Sequence, residues 1–175
     1  MRFPRELQLL LLCVQLRPEA ERLRRLAGTR VDWQAFLDLA ERHRVRPLVY
    51  ENLTKACWDL VPTDMQRQWQ RNAEAITGRA LFVTGELLRI AAAFEKEQIP
   101  VVALKGPVLA QVVYGGVALR EFDDLDLLVR ETDFLKANAA AARDRAKVRM
   151  RASLRARLGS TPFRFFSLPL PVATR

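Results

Sequence analysis

Apolar residues recur at three- and four-residue spacing through the first half of the chain, a pattern that predicts successive helices separated at proline and glycine positions. One helix is predicted over residues 33–40, where Asp32 is placed to cap the N-terminus. A much longer helix is predicted over residues 63–97, with one broad apolar face. Residues 1–97 are therefore expected to form a helical N-terminal region.

The pattern changes after this region. Residues 99–104 form a short, β-branched apolar run that is typical of a buried strand in a layered core. Residues 105–107 then turn the chain into a short helix, which Gly115 is expected to end. A second strand is predicted over residues 124–129. The fold class is therefore predicted to be α+β, with a small core at residues 98–135.

The protein has 175 residues and a formal net charge of +9, and the excess charge is confined to its last 40 residues. Residues 1–135 hold 19 basic and 19 acidic residues, whereas residues 136–175 hold ten basic residues and one acidic residue, Asp144. This break in composition marks a basic, atypical tail, which we expect to be disordered or to be a truncated or out-of-frame end. Alternatively, the tail contacts the backbone of a nucleic acid, and binding would then weaken steeply with salt.

The predicted second strand carries two carboxylates that could perform chemistry. Side chains alternate along a strand, so Asp124 and Asp126 share one face. At about 6 Å and an effective dielectric constant of about 20, their repulsion is roughly 3 kcal/mol, which favours a divalent cation between them. The bend at Lys105 and Gly106 precedes a helix and suits phosphate. Lys105 and Arg120 are candidate phosphate contacts because of their charge and position.

These blocks together resemble a known family. The resemblance rests on the strand and turn at residues 99–106, on Arg120, and on the strand at residues 124–129. The upstream residues 40–45 and 47–50 add to it. The sequence resembles the uncharacterised nucleotidyltransferase family of the DNA polymerase β-like superfamily, over roughly residues 31–133.

The resemblance implies a partial polymerase β-like nucleotidyltransferase core with a small mixed sheet, following the helical N-terminal region. It also implies magnesium-dependent transfer of a nucleoside monophosphate from a nucleoside triphosphate to an unknown acceptor, with release of pyrophosphate. Gly106 would belong to the turn that holds the triphosphate. Asp124 and Asp126 would bind the Mg²⁺ ions.

Two departures from the superfamily pattern leave the activity of this chain open. The superfamily usually has a third carboxylate on a later strand, and here only Glu131, Asp133 and Asp144 follow the second strand. Many members follow the glycine of the turn with glycine or serine, whereas this chain has Pro107, which has no N–H to donate. The alternatives are a non-catalytic helical interaction module with a degenerate core, or a protein that binds nucleic acid through the basic tail.

The numbers of cysteines and histidines, together with the hydropathy of the chain, exclude metal clusters, metal centres built on histidines and membrane-spanning segments. Cys13 and Cys57 are too few for a metal cluster and lie in apolar helical contexts, as expected of free thiols in a reducing compartment. His43 is the only histidine, which excludes a metal centre built on histidines. No segment reaches the roughly 20 apolar residues that span a bilayer. We therefore expect a cytoplasmic protein with no membrane partner.

Overall fold

The computed structural model describes residues 3–143, 151–158 and 161–169, with the backbone alone in the last two ranges. The chain divides into two compact units. The first unit contains residues 1–78 and 118–121, and the second contains residues 79–117 and those from 122 onward. The division falls inside one long helix. The domain boundary predicted at residue 97 coincides with the end of this helix and stays a prediction.

The first unit is helical, as the apolar spacing predicts. Its elements are α1 (Arg5–Cys13), α2 (Ala20–Ala27), α3 (Trp33–Arg42), α4 (Arg46–Ala56), a 3₁₀ turn (Trp58–Leu60) and the first half of α5 (Thr63–Lys96). The predicted cap of α3 is confirmed, because Oδ1 of Asp32 accepts a 2.9 Å hydrogen bond from the backbone N–H of Ala35. α5 is 34 residues long and has nearly the predicted bounds.

Aromatic side chains pack the helices of the first unit together. Phe36 and Trp69 are fully buried, and their ring centroids are 5.9 Å apart. Trp33 meets Phe36 edge to face at 5.9 Å. Buried thiols and leucines complete this core, in which Asn52 is the buried polar residue. These three rings therefore pack α3 against the first half of α5.

Residues 118–121 return from the second unit to the first. Arg46 donates from Nε and Nη2 to the two carboxylate oxygens of Glu121, at 3.0 and 2.8 Å. The side chain of Glu121 is only 9% exposed. This two-pronged ion pair ties the segment to the start of α4.

The second unit contains the small sheet. Its elements are the second half of α5, β1 (Val101–Ala103), α6 (Pro107–Leu109), a π-helical turn (Ala110–Tyr114), β2 (Asp124–Arg130), α7 (Phe134–Arg143), β3 (Arg151–Leu158) and β4 (Thr161–Pro169). Gly115 ends the π-helical turn with φ at +78°, as the sequence predicts. The predicted strand at residues 124–129 is confirmed as β2, and the α+β class is confirmed with it.

The four strands lie in the order β1-β2-β4-β3, and each described pairing is antiparallel. The prediction of a mixed sheet is therefore wrong. The connection from β1 to β2 leaves and re-enters the sheet at the same end, and this reverses the second strand. Residues 163–166, which belong to the predicted basic tail, lie in β4 and pair with β2. β2 accordingly has a neighbour on each side.

Alternation along β2 separates an apolar face from an acidic one, as predicted. Leu125, Leu127 and Val129 are buried in the core of the second unit, against side chains of α5 and α7. By contrast, β1 is less buried than its apolar run predicts, since Val102 is 53% exposed. β1 is an edge strand of the sheet, so its outer face is left uncovered. In the part of the chain that the structure describes, no helix has both the length and the apolarity to cross a membrane.

Candidate functional site

The bend after β1 lies directly against the start of β2. Gly106 has φ at +66° and ψ at −133°, a conformation that favours glycine. A Cβ atom added there would lie 3.4 Å from the backbone oxygen of Asp124 and 3.5 Å from Cδ2 of Leu125. The structure therefore brings together the glycine bend and the acidic strand that the sequence singles out.

Lys105 and Asp126 form the second link between these segments. Nζ of Lys105 is 3.1 Å from Oδ2 of Asp126. The lysine side chain is 62% exposed, whereas that of the aspartate is 18% exposed. Beneath this pair, the backbone N–H of Leu104 donates a 2.9 Å hydrogen bond to the backbone oxygen of Asp126. An exposed cation thus neutralises a partly buried carboxylate.

Asp124 and Asp126 occupy alternate positions of β2 and share its polar face, opposite the buried Leu125 and Leu127. The preceding residue, Asp123, is held by its backbone, whose oxygen accepts a 3.0 Å hydrogen bond from Nη2 of Arg79 on α5. Both carboxylates are therefore positioned by a strand whose inner face is locked into the core.

The Gly106 bend would attract phosphate in a different way from the one the sequence predicts. α6 contains three residues before the chain continues as a π-helical turn, and Pro107 is the first of them. Proline has no N–H, and so short a helix has little dipole. The attraction for an anion at this bend is therefore provided mainly by the ammonium group of Lys105.

Arg120 belongs to the first compact unit, unlike Lys105 and Gly106. Its Nη1 atom is buried and has no hydrogen-bond partner among the described residues. A phosphate contact from Arg120 stays a prediction.

Arg79 is the residue of this region that sequence reasoning missed. It precedes Ala80, a buried residue of α5, by one position, so it lies at the margin of the apolar face of that helix. A basic residue at such a margin, in a helix that leads into the sheet, is the available sequence signal. Its guanidinium also lies 5.6 Å from the ring centre of Phe82, which fixes its direction.

The donor set suits a hard divalent cation. Mg²⁺ is commonly held by one or two carboxylates, with phosphate and water oxygens completing its shell. Asp124 and Asp126 supply two such groups on one face, and the Lys105 contact shows that this face already attracts a cation. Among the described residues there is no group of three or more histidine, cysteine or acidic side chains placed to hold a metal ion.

The other carboxylates near β2 have different surroundings. Asp133 accepts a 2.7 Å hydrogen bond from Nε of Arg130, three residues earlier. Glu131 lies beside it in a 3₁₀ turn at the end of β2. Asp144 lies outside the described residues. The third carboxylate of the superfamily pattern therefore has no counterpart in residues 3–143.

The two thiols are structural groups, as predicted. Burial raises the pKa of Cys13 far above its usual range. Loss of solvent also raises the pKa of Cys57 to about 11, and the carboxylate of Asp59 adds to the effect. Both thiols are therefore protonated near neutral pH and unsuited to nucleophilic chemistry.

The second unit of this α+β fold thus brings together two strand carboxylates, a glycine bend and an exposed lysine. Residues 29–144, about two thirds of the chain, match the model of the uncharacterised nucleotidyltransferase family. The chain belongs to this family, whose reaction is nucleotidyl transfer in general. The match continues through α7, beyond the expected end near Phe134. No curated protein and no solved structure matches the chain.

Proposed function

We propose that this protein transfers a nucleoside monophosphate from a nucleoside triphosphate to an acceptor, in a reaction that depends on Mg²⁺. The observation that carries the proposal is that the Gly106 bend lies against the start of β2, where a Cβ atom added to the glycine would be 3.4 Å from the backbone oxygen of Asp124. The bend and the ammonium group of Lys105 therefore lie beside the two carboxylates that we assign to the metal.

In the proposed reaction, an acceptor oxygen forms a bond to the α-phosphorus, and the bond from that phosphorus to the bridging oxygen breaks. Pyrophosphate leaves with the electron pair of the broken bond, and the acceptor proton passes to solvent. Asp124 and Asp126 would hold Mg²⁺, which supplies neutralisation of the charge on the phosphate oxygens when it is bound.

Lys105 has two partners in this proposal. Without a nucleotide its ammonium group contacts Asp126, and its largely exposed side chain is free to turn toward a phosphate oxygen. That exchange would release the carboxylate of Asp126 for the metal. Gly106 leaves room for the triphosphate to approach the backbone, because it has no side chain at the bend.

Turnover by this chain is expected to be slow. The superfamily's third carboxylate can orient the acceptor, and residues 3–143 contain no counterpart for it. Protein, sugar, small-molecule and nucleic-acid hydroxyls all remain candidate acceptors, because the proposed chemistry needs only an oxygen nucleophile.

The test uses nucleoside triphosphates labelled at the α-phosphate, with Mg²⁺ and a mixture of candidate acceptors. Label transfer by the wild type should be lost in Asp124→Asn and Asp126→Asn. Asp133→Asn is the matched control, because its carboxylate pairs with Arg130, and this variant should label normally. Equal labelling in all four proteins would overturn the proposal.

Thermal unfolding provides a readout that does not depend on the acceptor. Nucleoside triphosphate with Mg²⁺ should raise the Tm of the wild type and not that of Asp126→Asn. If the wild type shows neither label transfer nor this shift, the proposal is wrong, and the non-catalytic interaction module is favoured.

A further inference from the structure

One face of α5 carries large apolar side chains that nothing covers in the described part of the chain. Leu81 is 58% exposed, Phe82 is 47% exposed and Leu88 is 65% exposed. Gly85 and Ala92 lie on the same face, at helical spacing from these three. We call these five residues the α5 stripe. A contiguous apolar surface of this kind is typical of a site that docks another surface.

Two apolar members of the α5 stripe lie at equal distances from Gly85. Phe82 precedes this glycine by three residues and Leu88 follows it by three. Gly78, which extends the same face, precedes it by seven, and Ala92 follows it by seven. In two antiparallel copies of the helix that cross at Gly85, Phe82 of each copy therefore lies level with Leu88 of the other. Gly78 and Ala92 lie level with each other in the same way.

Two charged residues of opposite sign also lie at equal distances from Gly85. Glu74 precedes Gly85 by eleven residues and Lys96 follows it by eleven. Eleven residues are close to three full turns, so both side chains lie on the face of the α5 stripe. Both are exposed, and neither has an ion-pair partner among the described residues. An antiparallel pair would join each Glu74 to the Lys96 of the other copy, whereas a parallel pair would juxtapose like charges.

Gly85 suits the crossing point. A Cβ atom added there would meet nothing within 4 Å, so the glycine leaves an open gap on the helix surface. Gaps of this kind let two helix backbones approach closely, with the larger side chains interlocking on either side. An interface in which the same patch on each copy is complementary to itself closes as a twofold dimer.

We propose that the α5 stripe is the interface of a homodimer, in which the α5 helices of two copies pack antiparallel around a twofold axis at Gly85. The occupant is a second copy of this chain, because the charges of Glu74 and Lys96 are complementary to themselves in this register, with Phe82 and Leu88 level between them. The interface uses none of the residues proposed to hold the nucleotide or the metal.

Disulfide trapping tests the register. Two copies of Gly85→Cys would place their thiols together at the axis, so mild oxidation should give a covalent dimer. Gly78→Cys is the matched control, because it makes the same change on the same face, where an added Cβ also meets nothing within 4 Å. Its two thiols would be about 21 Å apart along the helices, so it should stay monomeric in a denaturing gel. Cys13 and Cys57 are buried and should not compete. Equal trapping of both variants would overturn the proposal.

Charge reversal tests the orientation without a cysteine. By sedimentation equilibrium of the full chain, Glu74→Lys and Lys96→Glu should each raise the dimer dissociation constant by about tenfold, because each creates two like-charge contacts. The double variant should return close to the wild-type value. Failure of the double variant to recover would contradict the antiparallel arrangement.

An apolar-to-acidic pair of variants tests the surface itself. Leu88→Glu should abolish the dimer, whereas Leu135→Glu should not, because Leu135 is 79% exposed on α7, outside the α5 stripe. Circular dichroism should show native helix content in both variants, since neither side chain is in a core. A wild-type chain that stays monomeric at the highest attainable concentration would overturn the proposal.

Discussion

Nζ of Lys105 lies 3.1 Å from Oδ2 of Asp126, which joins the turn after β1 to the second carboxylate of β2. The two residues are 21 positions apart in the sequence, and the antiparallel pairing of β1 with β2 brings them together. The carboxylate face of β2 thus has a neutralising cation that is exposed enough to be displaced. This relationship underlies the first prediction.

Lys105→Met should weaken the binding of a nucleoside triphosphate with Mg²⁺ by about 10- to 100-fold, the usual effect of losing a charge-assisted hydrogen bond. The free energy of unfolding should change little, because an ion pair with so exposed a partner contributes little stability. Isothermal titration calorimetry measures the affinity. Lys136→Met is the matched control, because Lys136 pairs with Glu97, and it should bind normally. Equal affinities would contradict the role of Lys105.

Gly106→Ala should lower the free energy of unfolding by about 1–3 kcal/mol, because alanine is strained at this φ and ψ. The added Cβ would also lie in close contact with the backbone oxygen of Asp124, at 3.4 Å. Gly78→Ala provides the comparison. It lies in the interior of α5 with open space around it, so it should raise stability by about 0.5–1 kcal/mol. Urea denaturation checks both signs, and a neutral Gly106→Ala would argue against the strained bend.

Asn52→Ala should destabilise the protein by about 1–3 kcal/mol. The Asn52 side chain is buried, and its Nδ2 donates to the backbone oxygens of Cys13 and Gln15, at 2.8 and 3.0 Å. Without the amide, the carbonyl of Cys13 loses this donor. Asn52→Asp should be at least as damaging, since a carboxylate cannot donate. Asn138→Ala, on the exposed face of α7, should leave the urea midpoint unchanged.

Stability should fall as the pH rises from about 9 to about 11, because of Cys57. Its pKa is 9.0 in the absence of burial and about 11 in the folded protein. In that window the unfolded chain releases the thiol proton and the folded chain retains it, so rising pH favours unfolding. Urea midpoints at successive pH values measure the fall, which should be shallower in Cys57→Ala.

A thiol reagent should label neither cysteine in the native protein at pH 8, and rapid labelling would contradict their burial.

Local chemistry explains which features could be predicted from the sequence. Four features each depend on residues within a few positions of one another. They are the Asp32 cap, the α5 helix, the end of the π-helical turn at Gly115 and the two faces of β2. These features are encoded where they occur, so periodicity and turn chemistry are sufficient to find them.

Long-range pairing explains what could not be predicted. The antiparallel direction of β2 depends on where the connection returns, and the exposure of Val102 depends on which strand lies at the sheet edge. The hydrogen bond from Arg79 to Asp123 joins residues 44 positions apart. The pairing of β4 with β2 is similarly remote. No spacing rule within one segment reports such contacts.

The ion pair between Arg46 and Glu121 has a consequence for dissecting this molecule. A fragment that began at residue 98 would retain Glu121 but lose Arg46, its partner, together with the helices of the first unit. Glu121 and its neighbours at residues 118–121 belong to that helical unit, although they lie just before β2 in the sequence. The first unit is therefore discontinuous in sequence, and a cut at residue 97 would divide it rather than separate two intact units.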